Sequence, residues 1–328
     1  VRHADQLLID PVRYLELLAG QVTAAGGQLL MGTAVVDVDD GEPMTVRCAD
    51  GLGILAAEVV LATHVPSLLR TLAFALVEQR RHYAVAGVVT AYPGTTYDIT
   101  DGWSTRPLTG RPEPWAVAVG GGHATGTGGP TASLHSLRAW AEQNLRMDVR
   151  YSWSTQDAFS TDRLPLVGRS PVGSRGLWFA TGFGAWGLTL GTAAAHDLAG
   201  QIGGADAAWP GWSPRRFSLV THPGLSAHVG ARTLGNLARR PFSGSTGSLK
   251  PGQGEVRRVD GRHVAVSLDA DGEERCVSAR CTHLGCLVSW NAEAASWDCA
   301  CHGSRFGADG SVLHGPATRP LEPERGTA

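Results

Sequence analysis

Excess charge is the first thing this chain lacks. Lys and Arg number 28 against 30 Asp and Glu over 328 residues, a formal net charge of −2. No long basic run breaks that balance, so nucleic acid is not an expected partner. The N-terminus shows no basic stretch followed by an apolar core, so no secretory leader is expected in this stretch. Residues 176–195 are free of charge but contain five Gly and three Thr. A membrane-crossing helix needs about twenty predominantly apolar residues; this stretch reads instead as a strand entering a Gly-rich loop. Internal repeats are absent as well. Cysteine is scarce, six in all, and Cys48 and Cys276 read as buried strand residues. What remains, 43% apolar residues over this length, is enough for two domains.

The other four cysteines fall in two short clusters, Cys281-Thr-His283-Leu-Gly-Cys286 and Cys299-Ala-Cys301-His302-Gly-Ser. Each offers one thiolate and one imidazole at short spacing, Cys-x-His and then Cys-x-x-His. Two Cys and two His are what a Rieske [2Fe–2S] centre needs, with thiolates on one iron and imidazoles on the other. Cys286 and Cys301 are left over at matching offsets, which suggests a disulfide joining the loops. A structural zinc site is the competing reading, although zinc sites usually pair Cys with Cys and His with His. Both loops resemble the two boxes of Rieske proteins, with Ala300 where that family often has Pro. That resemblance implies Cys281, His283, Cys299 and His302 as ligands. The segments Ser304-Arg305-Phe306 and His314-Gly315-Pro316-Ala317 are similar to the family's following loop and Pro segment.

Along the chain, Asp10-Pro11 reads as the start of a helix with Tyr14, Leu17, Leu18, Val22 and Ala25 on one face and Gly26-Gly27 ending it. Strands are expected at residues 29–38, 46–48, 59–62, 85–91, 115–119 and 177–180. The continuous apolar run at 59–62 suggests a strand covered on both faces. Helices are expected at 131–147, with Leu134, Leu137, Trp140, Ala141 and Leu145 at helical spacing, and at 190–202. Turn-rich sequence from Trp209 to Pro214 leads into residues 217–242, expected to form a linker packed along the first domain; a membrane-surface helix is the alternative. Short β segments separated by Gly turns follow at 255–259, 263–268, 274–278, 288–290 and 312–313. The expected division is an oxidoreductase domain over 1–212, a linker over 213–248 and a small all-β domain over 249–328.

Gly182-Phe-Gly184-Ala-Trp-Gly187 spells G-x-G-x-x-G, the dinucleotide fingerprint. Its context fails: the following helix is succeeded by Trp- and Pro-rich sequence, not a parallel strand, and Trp186 is bulky where a pyrophosphate would sit. Other segments carry a different likeness. Val59 to Pro66, Trp153-Ser-Thr-Gln-Asp157, Thr161-Asp-Arg-Leu-Pro-Leu-Val-Gly-Arg169 and Ala180-Thr-Gly-Phe183 resemble the FAD-dependent D-amino-acid-oxidase-like oxidoreductases. The closest likeness is to the subgroup in which that α/β (α+β) flavoprotein module carries a C-terminal Rieske domain. That family opens with a βαβ unit whose Gly-rich turn holds the FAD pyrophosphate at a helix N-terminus. Nothing similar precedes Val1, so the sequence is expected to be the later part of a longer protein, missing much of its FAD site.

The resemblance implies Val36 on the adenine side of FAD, and Thr63, Asp162, Thr181, Gly182, Phe183, Gly184, Trp186, Gly187, Leu188 and Thr189 along the flavin. A helix beginning near Leu188 would aim backbone N–H groups at the negative charge of a reduced flavin. The alternative for these glycines is a turn needed only for packing. His64 and His123 are candidates near a substrate, and Arg106 and Arg111 for binding a carboxylate; for each, a structural or surface role is the default. Trp290 and Trp297 read as apolar cover of the cluster loops. The expected function is oxidation of an amine or amino acid C–N bond, with electrons passing from flavin to the [2Fe–2S] cluster and on to a one-electron acceptor. A Rieske electron-transfer protein, or a non-catalytic remnant that has lost FAD, is the alternative. A cytoplasmic location is expected, with peripheral membrane association as a variant, since a sheltered disulfide does not demand an oxidising compartment.

Overall fold

The computed structural model describes residues 8–68, 71–90, 94–100, 102–127, 129–216, 235 and 249–324. The expected linker at 217–242 therefore lies, but for residue 235, outside the described residues. Helix α1 (Pro11–Ala24) starts where Asp10 accepts hydrogen bonds from the N–H groups of Val12 and Arg13, with Pro11 fixing the first turn. Its apolar face stays largely exposed among the described residues: Leu17 is 67% and Val22 42% exposed. Tyr14 alone reaches inward, hydrogen-bonding Thr192 at 2.7 Å.

Strands β1 (Val35–Asp39), β2 (Met44–Cys48) and β3 (Gly53–Ala56) form an antiparallel meander. The expected strand over 29–38 is thus shortened, because Gly32 takes φ +71° in a turn and pairing begins only at Val35. Strand β4 (Val59–Leu61) next pairs in parallel with a strand from far along the chain. It forms a sheet edge, and Val60 is 41% exposed, so the expectation of cover on both faces is not met here.

After the one-turn α2 (Ala73–Leu76) comes a five-stranded antiparallel sheet in the order β6-β7-β8-β5-β9. Its members are β5 (Val77–Val88), β6 (Thr96–Tyr97), β7 (Ser104–Leu108), β8 (Trp115–Ala124) and β9 (Asp148–Ser160). Helix α3 (Pro130–Leu145) buries Leu134, Leu137, Ala141 and Leu145 against Val85, Ala116 and Ala118 of this sheet. Each such fully buried Leu contributes about 1.5–3 kcal/mol. Strands β10 (Leu166–Arg169) and β11 (Leu177–Thr181) complete the small sheet with β4, and helix α4 (Gly187–Ile202) lies against them. Leu61, Val65, Val77, Leu166 and Phe179 form the core joining the two sheets.

The C-terminal unit is all β. A meander of β12 (Gly254–Val259), β13 (Arg262–Leu268) and β14 (Glu274–Ser278) adjoins a second sheet of β15 (Val288–Asn291), β16 (Ser296–Cys299), β17 (Arg305–Gly307) and β18 (Val312–His314). Trp297, Phe306, Val277 and the four loop cysteines form its core. Cys48 is buried as expected. Cys276 lies on β14 but is only half-buried, because β14 is an edge strand. Burial and the adjacent Glu274 push its thiol up to about 11.

Candidate functional site

The two cysteine–histidine loops close in the same way. In the first, Cys281 N–H donates to the Cys286 carbonyl at 2.9 Å and Gly285 N–H to the Cys281 carbonyl at 2.9 Å. In the second, Cys299 N–H donates to the Ser304 carbonyl at 2.8 Å and Gly303 N–H to the Cys299 carbonyl at 3.0 Å. Gly285 and Gly303 sit at φ +76° and +77°, the left-handed conformation that glycine adopts without a Cβ penalty. Cys286 and Cys301 form the disulfide that staples the loops, with Cα atoms 6.4 Å apart. Sulfur atoms of Cys286, Cys299 and Cys301 cluster within 4.8 Å, but the disulfide occupies two of them.

Cys281 and Cys299 remain as free thiols, both buried. Their thiols hydrogen-bond, and this contact, helped by N–H groups of His283 and Leu284 and by Ser304, lowers Cys281 to about 7 against the penalty of burial. Cys299 is raised by the same partner and by burial. The His283 and His302 rings stand 5.1 Å apart, edge to face. Burial pushes His283 down to about 4, which keeps a neutral imidazole as metal ligation requires. Its Nε2 is buried without a hydrogen-bond partner among the described residues. Two buried thiols, one already easily ionised, and two adjacent imidazoles, His302 buried and His283 half-buried, fit a [2Fe–2S] cluster with mixed ligands. Trp297, fully buried and edge-on to Trp290 with ring centroids 4.8 Å apart, supplies the apolar cover.

The residues expected along the flavin assemble only in part. The parallel pairing of β4 with β11 brings the ends of both strands together, where the Thr181 hydroxyl donates to the His64 carbonyl. Thr63, just past the end of β4, and Thr181, at the end of β11, therefore lie at one edge of this sheet. Glycine at 182 and 184 is needed for packing, since a Cβ would meet Ser160 at 3.2 Å and the Phe159 ring at 3.0 Å. A Cβ at Gly187 would meet nothing, so a flat ring has room to approach there. Helix α4 opens with no side-chain cap, and Trp186 is 63% exposed beside it. The first-turn N–H groups, with their partial positive charge, fit the anionic end of a reduced flavin. Asp162 is committed elsewhere: Arg216 grips both its oxygens at 2.8 and 2.9 Å. Burial acts to raise this carboxyl, but the bonds from Arg216 and from the Leu164 N–H outweigh it and hold it below the usual range. Val36 lies apart from these loops, lining a cavity of about 590 Å³ with Arg47, Leu68, Thr282, His283 and Arg319.

The seam between the two units was not legible in the sequence. Phe74 sets its ring edge-on to both imidazoles, 5.3 Å from His283 and 4.8 Å from His302. Gln156 donates to the Gly303 carbonyl at 2.8 Å. A Cβ on Gly303 would lie 2.4 Å from the Gln79 side chain, and one on Gly126 2.5 Å from the Ala300 nitrogen. His64, whose backbone takes φ +63°, shares a 3.1 Å ring-to-ring hydrogen bond with His314. Burial lowers both histidines, His314 to about 4. His123 instead bonds Tyr83 at 3.1 Å, Arg111 lies over the Trp115 ring, and Arg106 is exposed.

A sheet-and-helix scaffold joined to a paired Cys–His loop site defines a flavoprotein with an iron–sulfur module. The chain belongs to the FAD dependent oxidoreductase family, whose model matches residues 1–201, and carries a Rieske [2Fe-2S] domain over residues 242–323. FAD and a [2Fe–2S] cluster are the cofactors of these two families. Across 97% of its length the chain is 29% identical to YhfW of Bacillus subtilis (strain 168), a protein described as a Rieske 2Fe-2S iron-sulfur protein, and it spans 64% of that relative's length. Over 60 residues, 18% of this chain and 34% of the relative, it is 57% identical to a cytochrome b6-f complex iron-sulfur subunit 2 of Trichormus variabilis. Glycine oxidase from Geobacillus kaustophilus shares the fold of the first unit, with a TM-score of 0.50 and 20% identity, over 62% of this chain and 57% of that one. No helix among the described residues is long and apolar enough to cross a membrane.

Proposed function

We propose that the protein oxidises the C–N bond of a small amine or amino acid in the cytoplasm and passes the electrons singly to an external acceptor. When bound, FAD supplies hydride acceptance and the cluster one-electron transfer. One observation carries this reading: both imidazoles of the Cys–His site meet Phe74 of the flavoprotein unit, His302 buried there and His283 half-buried at the edge of the cavity. The name of the structurally similar glycine oxidase supports a C–N substrate. In this reading residues 1–212 form the flavoprotein part, 213–248 the connection and 249–328 the Rieske part.

Each side chain then has a defined task. Cys281, His283, Cys299 and His302 hold the cluster, and the Cys286–Cys301 disulfide fixes the loops around it. Thr63, Thr181 and the turn from Gly182 to Thr189 line the flavin, with the uncapped α4 N-terminus directed at its negative charge. Asp162 acts on that site through Arg216, which also bonds the carbonyls of Leu164 and Pro165 and so holds the turn before β10. Val36 contacts the adenine side. The test is anaerobic mixing of the protein in its full-length form with a panel of amines and amino acids, following flavin and cluster absorbance. Bleaching of both chromophores by one compound class is expected; a flavin that no amine reduces would refute the substrate class.

A further inference from the structure

The Phe74 ring belongs to two environments at once. On one side it packs on the core that includes Leu61, Val65 and Phe179. On the other it meets both ligand imidazoles edge-on. His302 is only 3% exposed. His283 borders the 590 Å³ cavity, yet its Nε2 stays buried. The second loop is drawn into this position by the Gln156–Gly303 bond, and the absence of side chains at Gly126 and Gly303 allows the close approach.

We propose that Phe74 is a positioning residue that closes the imidazole edge of the cluster against the flavoprotein unit, withholding that edge from external oxidants. This rests on the reading of an internal flavin donor, for which the closed edge is the port of entry. The external acceptor then takes its electron across another face of the Rieske domain. Apolar cover over ligand histidines keeps water from the site, and solvent access is one of the levers on an iron–sulfur potential.

The test uses the whole chain with its cluster reduced by dithionite, without amine, then mixed with ferricyanide while cluster absorbance is followed. Wild-type protein should react slowly, and Phe74→Ala should raise the second-order rate constant severalfold and shift the EPR g-values. Phe74→Leu, which keeps an apolar cover, should restore most of the protection. Equal rates in wild type and Phe74→Ala would overturn the proposal. If Phe74→Ala does not hold its cluster, Gln156→Ala decides: it leaves Phe74 in place but releases Gly303, so a faster reaction supports the closed edge and an unchanged one overturns it. Because no amine enters this experiment, a protein that fails every amine while showing these rate differences loses only the substrate assignment.

Discussion

Acid should loosen the inter-domain seam at His314 before it dissolves the sheets. This imidazole falls from 6.5 to about 4, first because burial strips its solvation, then because His64, Arg305 and Arg81 place positive charge beside it, with Asp298 opposing them. The unfolded chain binds the proton near 6.5 and the folded one only near 4. Between those values the unfolded state holds more protons, so stability is complete above the unfolded value and is lost as the pH falls. The gap corresponds to about 3 kcal/mol when the pH reaches the lower value. His64 is lowered in the same direction, its burial outweighing Asp157 and a hydrogen bond to the Gln156 backbone. The perturbation is His314→Asn, which removes the titrating ring and keeps a hydrogen-bonding side chain. Denaturant unfolding at a series of pH values from 7 to 4, followed by hydrogen exchange across β17 and β18, measures both proteins. Wild type should lose about 3 kcal/mol relative to the variant over that range. Parallel pH profiles would refute the reasoning.

Other substitutions probe the loops themselves. His283→Ser or His302→Ser should abolish or grossly alter the low-average g EPR signal of a histidine-ligated cluster, and stoichiometric zinc without iron in natively purified protein would contradict the ligand set. Changing Cys286 and Cys301 together to Ser removes a bridge across a sequence separation of 15 residues, worth about 3 kcal/mol. Some cluster should assemble and then decay faster; iron loss as complete as in Cys281→Ser would show that these cysteines ligate. Gly126→Ala forces a Cβ into the Ala300 backbone at φ +73°, costing about 1–2 kcal/mol in backbone strain alone. Faster hydrogen exchange at residues 299–304 is the expected readout, with β12 to β14 unchanged.

The Cys–His loops were readable because ligation chemistry dictates both residue type and spacing, and each loop is a local structure of six residues. Helices α3 and α4 were readable from their apolar periodicity, and β11 from a charge-free run bounded by Gly. Strand β9 was missed although Val149, Tyr151 and Trp153 alternate with Arg150, Ser152 and Ser154; residues 153–157 were read for their family likeness and not for period, and Tyr151 and Trp153 stay 60% and 45% exposed. Strands β16 and β17 were missed because their residues read first as loop chemistry. The seam was invisible for a different reason. Gln156 meets Gly303 across 147 positions and His64 meets His314 across 250, and no local pattern encodes a partner so distant. Phe74 sits in a single turn too short to show a period. Asp162 was read as a flavin neighbour, but the structure commits its carboxylate to Arg216, which only tertiary folding brings near.

The central claim is that electrons leave the flavin singly through the Rieske cluster. Freeze-quenched EPR of the full-length protein, anaerobically mixed with an amine that bleaches its flavin, tests it most directly. The low-average g signal should grow to stoichiometry with the cluster as the flavin is consumed, and His302→Ser should remove it. A fully bleached flavin beside a cluster that stays oxidised and EPR-silent would contradict the account.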